Sequence, residues 1–210
     1  MNGLAAANGA RRLHGLLSAA VGKPLFWAAF VSLGMVLPIA KSMGVTLPPP
    51  LPVLGTVPAF ALTDQLGAAF SSKQLEGKVW VADAIATHPQ APGATAQMYE
   101  IQHRGRNLGE YFHLVTFTLD PVHDTPAVLH AYAHDHRASP RMWTFATGDP
   151  AALHRVLNDG LHLVLTAQGD GRDLVLVDSK MQIRGYYKTD DADAVNRLLR
   201  DAGLLANRGY

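Results

Sequence analysis

The sequence predicts an α/β fold, with a mostly parallel sheet covered by helices on both faces and a membrane-spanning segment ahead of it. Three observations carry this. Val79–Ile85, VWVADAI, is apolar on both alternations, as a central parallel strand is. Apolar runs at His113–Leu119 and Met142–Ala146 follow, separated by helix-like stretches, in the rhythm of βαβ units. Pro24–Ala40, PLFWAAFVSLGMVLPIA, carries no charge over 17 residues, near the lower length limit of a spanning helix.

Composition sets the outer bounds. The chain has 210 residues, enough for one domain of roughly 150 residues and an appendage. Lys and Arg number 18 against 17 Asp and Glu, a net charge of +1, which argues against a dedicated nucleic-acid binder. There is no cysteine. Disulfides, thiolate metal ligands, CxxC redox chemistry and cysteine nucleophiles are therefore absent.

Residues 1–23 are small, polar and basic and are expected on the cytoplasmic side. Residues 24–41 form the anchor, with Trp27 near its start and more basic charge before it than after. No A-x-A cleavage signal follows, so the anchor is expected to stay attached. Residues 42–58 include the Pro-rich TLPPPLPVLGTVP, which reads as an extended, stiff linker. Residues 59–210 form the globular domain, expected on the extracytoplasmic side of the inner membrane.

Within that domain, Phe60–Leu62, the turn Asp64–Gly67 and Ala69–Phe70 predict a hairpin, and Ser71–Gly77 a helical turn. After the strand Val79–Ile85 comes a Pro-bracketed loop, then an amphipathic helix over 95–110 with Met98, Ile101 and Leu108 inward. A strand at His113–Leu119 leads through the loop Asp120–Pro126 into a helix reaching about Arg137, with Pro126 at its start. Met142–Ala146 is the third strand. Asp149 caps a helix that opens with Pro150 and ends near Gly160. Leu161–Leu165 reads as an extra strand and Gln168–Arg172 as a turn. Leu174–Asp178 and Gln182–Tyr187 predict a hairpin at the sheet edge, and 191–204 a closing helix with Ala194, Val195, Leu198 and Leu199 inward. This order, with right-handed crossovers, gives a thioredoxin-like fold.

Several stretches carry a resemblance. They are Pro58–Asp64 (PAFALTD), Asp120–Pro126 (DPVHDTP), Trp143–Pro150 (WTFATGDP), Leu174–Asp178 (LVLVD) and Ile183–Tyr187 (IRGYY). In order and spacing they resemble the Sco/SenC family of membrane-anchored cytochrome-oxidase assembly proteins, over about residues 53–204. The resemblance implies a thioredoxin-like domain that holds copper through two cysteines of a C-P-x-x-C-P loop and one distant histidine. Here the loop is Thr87-His88-Pro89-Gln90-Ala91-Pro92. His88 stands at the first cysteine position and Ala91 near the second. Asp170 is the closest match to the distal histidine. All three positions depart from the family pattern.

Other residues invite chemistry. His88 and Asp170 offer an imidazole and a carboxylate for a divalent ion, although transition-metal sites usually take three or four ligands. His130 and His134 sit i, i+4 on a predicted helix, with His123 and His136 nearby, but no HExxH is present. Asp120 and Asp124 suggest paired carboxylates, against a simpler reading as an Asx turn and a helix cap. No P-loop, Rossmann glycine pattern or GxSxG occurs. The expected function is a membrane-anchored, non-enzymatic scaffold or regulator of oxidase assembly, without a resident cofactor. Oxidase subunits or other assembly factors are the expected partners. The alternative is binding or delivery of Cu(II) or Zn through His88 and neighbouring residues.

Overall fold

The computed structural model describes Lys23, Pro24, Trp27, Val31 and residues 49–88, 93–163 and 173–208. The chain divides into two units, Met1–Pro50 and Leu51–Tyr210. Every described strand belongs to the second. They are β1 (Gly55–Thr56), β2 (Ala61–Asp64), β3 (Ala69–Ser71), β4 (Val79–Ile85), β5 (Phe112–Thr118), β6 (Trp143–Thr147), β7 (Asp173–Val177) and β8 (Gln182–Lys188). They form one sheet in the order β1-β8-β7-β4-β5-β6-β2-β3. β4, β5 and β6 run parallel at its centre, and the flanking pairs are antiparallel. Helix α1 (Gly93–Gly105) links β4 to β5, and α2 (Pro126–Asp135) links β5 to β6. α3 (Pro150–His154) and α4 (Ala194–Arg208) follow.

The two-sided apolar pattern of VWVADAI has its physical cause in two core layers. Val79, Val81 and Ile85 face one layer, with Phe112, Leu114, Trp143 and Phe145, under Met98 and Ile101 of α1, Leu129 of α2 and Leu198 of α4. Trp80, Ala82 and Ala84 face the other, with Phe60, Leu62, Phe117, Leu153 and Val156. Every residue of β4 and β5 is buried, so register is strongly specified.

Local chemistry places the turns. Asp64 Oδ1 accepts from the amides of Leu66 (2.9 Å) and Ala68 (2.8 Å), closing the β2–β3 hairpin that the sequence predicts. Gly185 of β8 lies under the Tyr187 ring. A Cβ there would come 2.7 Å from the Tyr187 hydroxyl, which donates to Asp201 of α4 at 2.8 Å.

Several expectations need correction. The helix over 95–110 is broken. α1 ends at Gly105 and a 3-10 segment, Arg106–Tyr111, follows, kinked at Gly109 (φ 66°). The Phe112 ring lies where a Gly105 side chain would start, so the chain turns tightly into β5. The helix expected to reach Gly160 is α-helical only through His154; Arg155–Gly160 is a π turn. Leu161–Leu163 are not in a strand, and the rest of that expected strand lies outside the described residues, as does the turn at 168–172. The β7–β8 hairpin is not the sheet edge. β7 pairs with β4 on its other side, and β8 is covered by β1. β1 itself falls in the Pro-rich stretch, where Gly55 and Thr56 pair with Ile183 and Gln182. α2 stops at Asp135, short of Arg137, and its cap is Thr125, whose side chain accepts from the Val128 amide.

Of the apolar segment 24–41, only Pro24, Trp27 and Val31 are described, and all three are helical. Among the described residues no helix is long and apolar enough to cross a membrane.

Candidate functional site

The carboxyl ends of parallel strands, where a helix N-terminus follows, are where open α/β sheets place ligands. Here that position is the turn after β4, residues 86–88, ahead of α1. It is held by one buried carboxylate. Asp124 is fully buried and lies just before α2. It accepts from the Thr87 hydroxyl, from the Thr87 amide at 3.3 Å and from the Thr118 hydroxyl at 2.5 Å. One side chain thus joins the end of β4, the end of β5 and the start of α2. Backbone bonds add to it: Leu119 N donates to Ile85 O at 2.7 Å and Asp124 N to Asp120 O at 2.8 Å. Across the mouth, the hydroxyls of Thr95 on α1 and Tyr132 on α2 lie 2.7 Å apart.

Asp120 and Asp124 are therefore not a carboxylate pair sharing a proton. Asp120 faces the His123 ring at 2.6 Å on the loop surface. Desolvation works against ionisation there, but the bonds from the His123 ring and amide and the imidazole charge together hold its carboxyl below the usual range.

A second buried acid lies deeper and was not singled out from the sequence. Asp83, in the middle of β4, is fully buried. The Thr116 hydroxyl donates to its Oδ1 at 2.5 Å, and the Trp143 indole donates to that hydroxyl at 2.8 Å. Its Oδ2 has no hydrogen-bond partner among the described residues. Burial pushes its pKa up to about 7, against the lowering effect of the Thr116 bond. The available signal was a lone acid in a strand apolar on both faces.

His88 is exposed at the end of the clamped turn. Pro89–Pro92, including Ala91, lie outside the described residues, and so does Asp170. His130 and His134 lie on the exposed side of α2, and the His136 ring packs on Tyr132 with centroids 4.2 Å apart. Among the described residues no group of three or more His, Cys, Asp or Glu could hold a metal ion. The donor set does not fit a soft Cu(I) site: thiolates are missing, and the described mouth offers the exposed imidazoles of His88 and His123, the second already bonded to Asp120.

A mixed sheet with a helix following the mouth after its central strand defines a thioredoxin-like domain, here in a chain that holds no thiol. The SCO1/SenC family profile matches residues 53–198, and the chain belongs to that family. A "SCO1 protein homolog" of Bacillus subtilis (strain 168) is 32% identical over 94 residues. That match spans 44% of this chain and 49% of the relative, so about half the length of the curated relative is matched. Solved structures share the fold. BsSco, described as a member of the Sco family of cytochrome c oxidase assembly proteins, superposes with a TM-score of 0.68 at 21% identity, over 75% of this chain and 97% of that one. Copper-bound ScoI of Bradyrhizobium japonicum gives 0.57 at 22%, over 72% and 99%.

Proposed function

We propose that this protein is a membrane-anchored member of its family that assists cytochrome oxidase assembly as a non-redox scaffold or regulator. One observation carries the reading: Asp124 clamps the mouth after β4 while the chain contains no cysteine. Thiol exchange needs a thiolate, so no step of that kind is open to this chain. What the domain presents is a fixed surface at the mouth, made of the 86–88 turn, the Asp120–Thr125 loop and the start of α2. Such a surface suits recognition of oxidase subunits or other assembly factors. The anchor is residues 24–41, with the N-terminus cytoplasmic and the domain extracytoplasmic.

A second reading is favoured by the exposure of His88, which the resemblance aligns with the family's first cysteine. In it, His88 and Asp170 contribute to a Cu(II) or Zn site. Titration of the protein with copper and with zinc, beside His88→Ala, separates the two. The scaffold reading expects only weak binding, the same in both proteins, from scattered histidines. Stoichiometric binding abolished by His88→Ala would replace it with metal handling.

A further inference from the structure

At the opposite end of the sheet from the mouth, the C-terminal ends of α1 and α2 enclose an open depression of about 290 Å³. Its lining includes Tyr99, His103, Arg106, Arg137 and Ser139, and no carboxylate. Neither Arg106 nor Arg137 is in an ion pair among the described residues. The nearby acid on α1, Glu100, is already paired with Arg104 at 2.7 Å.

The depression is held in shape. Gln102, buried on α1, donates to Arg137 O at 3.1 Å and accepts from the Ser139 amide at 2.6 Å. That side chain fastens the turn after α2 to α1. Arg137 itself occupies the left-handed region (φ 54°), just past the end of α2. The Ala138 amide donates back to Ala133 O at 2.8 Å, the closing bond of a helix stop in which glycine is the usual residue at this position. An arginine there is sterically disfavoured, and its side chain is delivered to the depression. Helix capping accounts for Arg106 in part, since its Nε donates to His103 O at 3.1 Å. It does not account for Arg137 in a glycine's place.

We propose that this depression binds an oxyanion of the phosphate class, held by the guanidinium groups of Arg106 and Arg137 with the Ser139 hydroxyl and the His103 ring. Two guanidinium groups match the charge and the donor geometry of a phosphate. The Tyr99 ring gives a wall for an organic group attached to it. The site is separate from the β4 mouth and does not depend on the function proposed for it.

The test is calorimetric titration of the full chain in neutral detergent at constant ionic strength. Inorganic phosphate is one probe and glycerophosphoglycerol, a soluble phosphodiester headgroup, the other. The expected result is saturable 1:1 binding of at least one probe, weakened at least tenfold by Arg137→Gly and by Arg106→Gln. Arg137→Gly should melt no lower than the parent, because glycine relieves the left-handed backbone. Tighter phosphate binding assigns a free ion or monoester; tighter headgroup binding assigns a phospholipid. No saturable binding of either probe, or binding unchanged in both variants, overturns the proposal. Arg106→Gln, an exposed substitution, keeps the test valid if Arg137→Gly alters the fold.

Discussion

Asp83 and Asp124 are both fully buried carboxylates, and their surroundings give them opposite roles. Asp124 receives three donors and fastens three elements. Asp124→Ala leaves Thr87 and Thr118 without their acceptor at a buried junction. A loss of about 2–4 kcal/mol in urea denaturation is expected. Among the described residues Asp83 receives a single side-chain donor, and burial raises its pKa to about 7. Its folded pKa of about 7 lies above the ordinary 3.8, so ionisation is disfavoured by folding. Asp83→Asn is therefore expected to stabilise the fold at pH 8, by up to about 4 kcal/mol, and to do nothing at pH 3, where the acid is protonated in both states. Denaturation at the two pH values checks it. The sequence reading singled out Asp124 but not Asp83, and the pairing of Asp124 with Thr87 and Thr118 was not legible in it. The Asp124–Thr87 contact joins residues 37 apart, and only the parallel alignment of β4 and β5 brings those segments together.

At the scale of elements, the strands that bury both faces were the legible ones. β4 falls where the sequence places it, and β5 and β6 are each displaced by one residue. Apolar periodicity is strong there because each side chain has a core layer to enter. β1 escaped because two residues flanked by prolines carry no periodicity; pairing with β8 alone makes it a strand. The break after α1 escaped because Gly105 and Gly109 read as ordinary helix-weakening residues until the Phe112 ring and the positive φ are seen. Glycine is needed again at Gly185, under Tyr187. Gly185→Ala should push that ring away and strain its bond to Asp201, lowering stability by about 1–3 kcal/mol in thermal or urea unfolding.

For the molecule as a whole, two buried titratable groups oppose each other. His113 bonds Thr144 at 2.9 Å, and burial, aided by Lys78, lowers its pKa to about 4 from 6.5. Between those values the unfolded chain binds the proton and the folded one does not, so this group's contribution is lost as pH falls from 6.5 through 4. Asp83 works the other way: from 3.8 to about 7 the folded chain holds a proton that the unfolded one has released, and stability falls as pH rises. Their slopes cancel between about pH 4 and 6.5. Stability of the parent should be nearly flat across that window. Asp83→Asn should unmask a rise with pH, and His113→Gln a fall, each of about 1.4 kcal/mol per pH unit.

The family profile over residues 53–198 places this chain in the SCO1/SenC family, the chain contains no cysteine, and the decisive question is whether it acts through contact. Affinity capture of the full chain from crosslinked membranes, beside His88→Ala, addresses this most directly. A scaffold recovers oxidase subunits or assembly factors equally with both proteins. Recovery of no such partner, or recovery lost in His88→Ala, would contradict it.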